Sequence, residues 1–135
     1  MKNLLALALS LCILTSAGCS GTKYNLASLA GLNVRDLEAA KDTGISKTFK
    51  MSHSEAFKNT VEILKTEKLT IFLSSEKRGY IVAMGFKEQV DTTRVGIFFD
   101  PVSETETKVT LSCLSSLALP KAEKIIFTGL SKIET

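Results

Sequence analysis

The sequence lacks the residues and motifs that carry most recognisable biochemical activities. It has 135 residues and a single histidine, His53, which is too few for a histidine-rich metal site. The net charge is +3, but no run of lysine and arginine has the length that is typical of nucleic-acid binding. A glycine-rich phosphate loop and an internal repeat are also absent from the sequence. We therefore expect no cofactor, no metal site and no nucleic-acid partner.

The N-terminus has the composition of a signal peptide. Lys2 supplies a positive charge, and an apolar run interrupted only by Ser10 extends from Leu4 to Leu14. A run of this length lies within the range of about 7–15 residues that is typical of a signal-peptide core. It is shorter than the roughly 20 apolar residues that a membrane-spanning helix needs. The pattern therefore predicts a segment that is removed after export.

The residues after the apolar run point to a specific kind of processing. Ser16-Ala17-Gly18-Cys19 resembles the lipobox of bacterial lipoproteins, although that family prefers leucine at the position of Ser16. The resemblance implies cleavage before Cys19, a diacylglycerol on its thiol and a further acyl chain, such as palmitate, on its freed amine. Two or more acyl chains hold a protein stably on a membrane. Ser20 follows the cysteine, and a residue other than aspartate there implies, by the same resemblance, sorting to the outer membrane. The alternative is an ordinary signal peptide followed by a chance cysteine.

These features divide the chain into three parts. We predict a signal peptide over residues 1–18, a lipidated N-terminus and tether over 19–44, and a folded domain over 45–135. Within the tether, Asn33 could cap a short helix from Val34 to Lys41 that stops at Gly44. Cys12 is lost with the signal peptide and Cys19 carries lipid, so Cys113 has no partner for an intramolecular disulfide. We expect Cys113 to be a buried and inert thiol.

The folded part alternates between patterns of period two and period 3.6. A short strand precedes Ser52-His53-Ser54-Glu55, which matches a capping box, and a helix should follow to about Glu67. Strand patterns then cover 70–73, 80–86, 95–100 and 108–113, with a turn over 76–79. Pro120 suits the first turn of a final helix. The apolar stripe of that helix consists of Ala122, Ile125, Ile126, Gly129, Leu130 and Ile133.

This order of elements predicts an α+β fold. Short connections between successive strands favour a two-layer arrangement, with an antiparallel sheet of about four to five strands and two amphipathic helices on one face. The domain also resembles small bacterial lipoproteins of unknown function, through Gly79-Tyr80-Ile81 and Thr107-Lys108-Val109. That resemblance extends over roughly residues 45–135, supports the fold, and implies no catalytic residues.

Two groups of polar residues are candidates for sites of chemistry. His53 could act as a base beside Ser52 or Ser54 if Glu55 or Asp100 oriented it, but a solvated histidine at a helix start is the simpler interpretation. Asp100, Glu104 and Glu106 lie near one turn, but they lack the spacing and the central glycine of a calcium-binding loop. We therefore expect a domain that is not an enzyme.

Three apolar residues do not fit a sheet with one solvated face. If the face toward the helices carries Ile71, Leu73 and their equivalents, Phe72, Ile81 and Phe98 point the other way. They would form a candidate partner surface on three strands. The tether could cover them, or a partner or second copy could, or the assumed strand parity could be wrong.

The sequence therefore predicts an envelope lipoprotein that is anchored in the outer membrane and faces the periplasm. It would act without catalysis, as a binding or structural accessory domain that contacts an envelope protein. The alternative is a periplasmic binder of a small apolar ligand, held between helix and sheet.

Replacement of the predicted anchor residue tests this interpretation. Cys19→Ala should abolish labelling by a fatty-acid analogue, because no other thiol follows the small residues that the processing enzymes recognise. Cys113→Ala is the matched control and should be labelled as fully as the wild type. Undiminished labelling of Cys19→Ala would exclude the lipoprotein interpretation.

Overall fold

A computed structural model describes residues 34–86, 93–115 and 117–134. The predicted signal peptide, Cys19 and the tether as far as residue 33 lie outside the described residues, as do residues 87–92, 116 and 135. Nine elements follow one another along the described chain. They are helix α1 (34–39), a 3-10 helix (Ala40–Thr43), strand β1 (Ile45–Phe49), helix α2 (His53–Thr66), strands β2 (Thr70–Ser75), β3 (Tyr80–Met84), β4 (Val95–Pro101) and β5 (Thr107–Cys113), and helix α3 (Leu119–Ile133).

The five strands form one antiparallel sheet in the order β1-β5-β4-β3-β2. Strands β2 to β5 are a meander, in which each strand pairs with the next along the chain. Strand β1 lies at the far edge beside β5, so α2 connects the two opposite edges of the sheet. The predicted α+β class with an antiparallel sheet of about five strands is confirmed.

The start of α2 is the capping box that the sequence predicts. The Glu55 backbone N–H donates to the Ser52 hydroxyl, and the Glu55 carboxylate accepts from the Ser52 backbone N–H at 2.9 Å. The hydrogen bond from the Ser52 backbone is the main reason why the pKa of Glu55 lies below its ordinary value. Since the ionised form makes this bond, the box stabilises the helix start above the ordinary carboxyl pKa and weakens as the pH falls through the lowered one.

The main core lies between the sheet and the helices α2 and α3. Phe57 and Leu64 of α2 and Ile126 and Leu130 of α3 belong to one buried cluster. The strands contribute alternate residues to the same cluster, as their period of two requires. These strand residues are Phe49, Ile81, Ala83, Val95, Ile97, Phe99, Val109, Leu111 and Cys113. We call the sheet face that carries them the core face, and the opposite face the outer face.

The register of β2 and β3 corrects the predicted parity. Ile81 pairs with Ile97 and is completely buried on the core face, so it does not share a surface with Phe98. In β2, Ile71 pairs with Ala83 and Leu73 with Val82, which leaves Phe72 as an extra residue in a β-bulge. The bulge reverses the alternation, so that Ile71 contacts the main core while Leu73 packs on the outer face. In β3 both sets of alternate residues are apolar, so the sequence does not show which set faces the main core. The pairing of β3 with β4 decides this.

Helix α1 covers part of the outer face. Val34 and Leu37 are buried in a second cluster with Val82 and Phe98, and Leu73 and Tyr80 pack against it. The predicted short helix after Asn33 is confirmed over its described residues, and it ends through the 3-10 turn at Gly44. Residues that the sequence assigned to the tether thus provide the cover that Phe98 needs.

Polar contacts and a glycine fit α1 to the sheet. The buried Ser112 hydroxyl donates to the Leu37 carbonyl at 2.6 Å, and the Lys41 ammonium lies 2.9 Å from the Asp100 carboxylate. A Cβ atom on Gly96 would lie 3.1 Å from the Leu37 Cβ atom and 2.7 Å from the Phe98 ring. Glycine at this position therefore allows α1 to approach the central strand closely.

The contribution of α1 can be measured by truncation of its most buried side chain. Leu37→Ala should lower the free energy of unfolding by about 2–5 kcal/mol, because it leaves a cavity over Gly96 and Phe98. Urea unfolding followed by circular dichroism measures this change. Glu38→Ala, on the exposed side of the same helix, is the control and should change stability by less than about 0.5 kcal/mol. Equal unfolding midpoints for both variants would show that α1 does not stabilise the domain.

Candidate functional site

An open groove lies on the surface between α2 and α3. It has a volume of about 940 Å³, and its apolar surface comes mainly from Ile63 of α2 and from Ile125 and Ile133 of α3. Ile133 is 51% exposed, although it lies on the apolar stripe of an amphipathic helix. Residues such as Leu64 of α2 and Ile126 of α3 are buried in the main core. The groove is lined by apolar residues of the same two helices that extend beyond this core.

The two walls of the groove carry opposite charges. Glu62 and Glu67 line it on the α2 side, and Lys121 and Lys124 line it on the α3 side. Glu62 also forms a salt bridge of 2.8 Å with Lys65, one turn further along the same exposed helix face. Such exposed pairs contribute little to stability. The groove thus combines an apolar floor with an acidic and a basic rim, the composition of many protein-binding surfaces.

Close packing of the helices forms the floor of the groove. A Cβ atom on Gly129 would lie 2.6 Å from the terminal methyl of Ile63, so α3 approaches α2 closely only because residue 129 has no side chain. Gly129 falls on the apolar stripe of α3, where a larger residue would be expected. A glycine within an apolar stripe indicates that another element approaches the helix closely. It does not indicate which element, so the sequence did not predict the groove.

Side chains fill the space between the helices and the sheet. Phe49, Leu64 and Ile97 are completely buried there, and the Phe49 and Phe127 rings stack edge to face at 5.6 Å. Phe57 and Phe99 make a second close ring contact at 5.5 Å. A small apolar ligand held between helix and sheet would have to displace these residues. The groove outside the helices is the more accessible surface.

The three residues of the predicted partner surface occupy three different environments. Phe98 is 4% exposed beneath α1, and Ile81 is buried in the main core. Phe72 is 39% exposed, and the Arg94 guanidinium carbon lies 4.2 Å from the centroid of its ring. Of the three, Phe72 alone is accessible to a partner.

No hydrogen bond between described residues joins His53 to an acid. The ring of His53 packs edge to face against Phe99, with 6.3 Å between centroids. Glu55 is engaged by Ser52, and Asp100 pairs with Lys41 beside the outer face. The Ser54 hydroxyl donates to Glu76 at 2.6 Å, so its proton is not directed at the histidine. The geometry does not assemble a nucleophile, a base and an orienting acid around His53.

The acidic turn between β4 and β5 is closed by its own backbone. The N–H groups of Val102 and Ser103 donate to the Glu106 carbonyl at 2.9 and 3.1 Å. Within the described ranges, no three histidine, cysteine, aspartate or glutamate residues lie close enough together to hold a metal ion. None of the described helices has the length and apolar composition that crossing a membrane requires.

Cys113 lies at the end of β5 and is buried, with its thiol unoxidised. The backbone N–H of Ser115 approaches its sulfur at 3.4 Å, and its side chain belongs to the main core. Since a thiol reagent needs direct access to the sulfur atom, this packing should protect it.

We expect Cys113 to react with an aromatic disulfide reagent only as the protein unfolds. Its reaction rate should follow the unfolding transition in urea, and Cys113→Ser in the same background identifies the signal as that of this residue. Stoichiometric reaction within seconds under native conditions, or a disulfide-linked dimer on a non-reducing gel, would contradict the buried position.

Comparison with known proteins leaves the site to be interpreted from its own geometry. No protein-family model matches this sequence, and no curated protein matches it significantly.

Proposed function

We propose that this protein is an envelope lipoprotein, anchored in the outer membrane through Cys19 and facing the periplasm, that acts as a non-enzymatic accessory domain. The observation that carries the anchoring is the lipobox-like Ser16-Ala17-Gly18-Cys19 after a short apolar run. The helix that precedes β1 lies on the outer face. The chain therefore leads from the anchor to that face, and the groove between α2 and α3 lies on the other side of the sheet.

The groove is the proposed contact with an envelope protein. A partner helix with an apolar face could place that face on Ile63, Ile125 and Ile133. Its flanking charges would then meet Glu67 on one rim and Lys121 on the other. The acidic rim and the basic rim would determine the direction in which the partner helix binds, and they would add less to its affinity.

The alternative, binding of a small apolar ligand, has weaker support in the geometry. Pockets for small molecules enclose most of the surface of their ligand. This groove is open along its length, and core side chains occupy the space between helix and sheet. An elongated protein segment fits an open groove with charged rims better than a small molecule does.

Site-directed crosslinking in the intact envelope tests the contact. A photoreactive amino acid at Lys124 should give one specific protein product, and Ile133→Ser should reduce that product roughly tenfold or more, because it removes apolar contact area from the groove. Ile133 is half exposed, so this change should leave the unfolding midpoint almost unaltered. Leu114→Ser, which replaces an exposed leucine that does not line the groove, is the matched control and should keep the product.

The possible outcomes separate the two functions. A product that survives Ile133→Ser would contradict groove binding. The absence of any product, together with an apolar compound that co-purifies with the wild type and is lost from Ile133→Ser, would instead support the ligand binder.

A further inference from the structure

Helix α1 covers only part of the outer face. It lies over Gly96, Phe98 and Ser112 of strands β4 and β5 and shares a buried cluster with Val82 of β3, and the rest of the β2–β3 half lies beside it. On that half Phe72 is exposed, and Leu73 and Tyr80 are partly buried. Arg94 directly precedes β4, whose Val95 lies on the core face. We infer that the alternation continues by this one residue, which puts Arg94 on the outer face, and its contact with the Phe72 ring assigns Phe72 to the same face.

Arginine side chains stack on both aromatic rings of this half. The Arg94 guanidinium lies 4.2 Å from the centroid of Phe72, and that of Arg78 lies 5.3 Å from the centroid of Tyr80. A guanidinium held over an aromatic ring keeps N–H donors that suit bidentate contact with phosphate oxygens. We call Phe72, Arg78, Tyr80 and Arg94 the aromatic–arginine patch.

Among the described residues, most acidic side chains of this side lie on or beside α1. Asp36, Glu38 and Asp42 are exposed on α1 and on the 3-10 turn that follows it, and Asp100 pairs with Lys41. Glu76, in the turn next to Arg78, accepts a hydrogen bond from Ser54 of α2. Arg35 is also exposed on α1, so the α1 half presents charges of both signs in which carboxylates outnumber basic groups, whereas the described β2–β3 half presents Arg78 and Arg94.

The position of the anchor brings this face close to the bilayer. Fourteen residues separate Cys19 from Val34, and Val34 lies on the outer face. Fourteen residues reach at most about 50 Å even when fully extended. If Cys19 is lipidated, the chain therefore ties the domain to the membrane at the outer face, while α2 and α3 lie behind the sheet.

We propose that the aromatic–arginine patch rests on the anionic phospholipid surface of the leaflet that holds the anchor. The arginines contact lipid phosphates, and Phe72 enters the boundary between headgroups and acyl chains. The domain lies with its β2–β3 half toward the membrane, the carboxylates of α1 away from it, and the groove between α2 and α3 open to the periplasm. This proposal rests on the proposed lipoprotein function and gives the domain a defined orientation on its membrane.

The absence of tryptophan from the sequence allows a direct test with the full lipidated chain. Phe72→Trp introduces a single reporter on the patch, and Ile133→Trp introduces one in the groove. Each variant is reconstituted in vesicles of phosphatidylglycerol and phosphatidylethanolamine with brominated acyl chains, which quench tryptophan at short range. We expect several-fold quenching and a blue shift for Phe72→Trp, and little quenching for Ile133→Trp.

Paired charge changes test the role of the arginines. Adding Arg78→Gln and Arg94→Gln to Phe72→Trp should remove most of the quenching, since each basic residue near an anionic bilayer strengthens the contact about fivefold. Lys121→Gln with Lys124→Gln removes the same charge from the groove rim and should leave the quenching unchanged. Vesicles of brominated phosphatidylcholine alone should quench Phe72→Trp much less than anionic ones.

Several results would overturn the proposal. Equal quenching of the two reporters, equal loss with the two charge pairs, or equal quenching in anionic and zwitterionic vesicles would each do so. Protection of Phe72→Trp from both bromine and an aqueous quencher would mean that a protein surface covers the patch instead. Fatty-acid labelling of the same preparations keeps the two proposals distinct. A labelled protein with an unquenched reporter contradicts only the orientation, whereas an unlabelled protein contradicts the anchoring itself.

Discussion

The central strand determines how the rest of this domain must be built. In β4 five successive residues, Val95 to Phe99, are buried. Successive side chains of a strand point to opposite faces, so both faces of the sheet need cover at its centre. Helices α2 and α3 cover the core face, and α2 can do so because it joins β1 at one edge to β2 at the other. At its centre the outer face is covered by α1, the only further α-helix among the described residues.

The need for cover on the outer face couples the fold to the proposed membrane attachment. The segment that buries Phe98 is also the segment through which the chain leads back toward Cys19. Gly96 leaves space for α1 because it has no side chain, and the Ser112 hydroxyl donates a hydrogen bond to the Leu37 carbonyl of α1. A lipid anchor at Cys19 would therefore attach to the sheet through a packed helix, and the two sides of the domain would have unequal access to the membrane.

The two exposed surfaces differ in the chemistry that they offer. The groove has an apolar floor between an acidic and a basic rim, which suits a protein segment of mixed charge. The aromatic–arginine patch carries positive charge stacked on aromatic rings, which suits phosphate and an apolar boundary. Their location on opposite sides of the sheet would let the protein contact a membrane and a partner at the same time.

The sequence by itself determined the elements and their order. The capping box at Ser52, the strand alternations and the stripe of α3 are local patterns, and local patterns predict local structure. The α+β class followed from their succession, and the lipobox-like segment remains a prediction from sequence alone. Parity on β2 and β3 was decided only by tertiary structure, because both alternations of β3 are apolar and a bulge at Phe72 reverses the alternation of β2. The groove and the patch also depend on residues far apart in the chain, such as Ile63 with Gly129 and Phe72 with Arg94, which only the packing of helices and strands brings together.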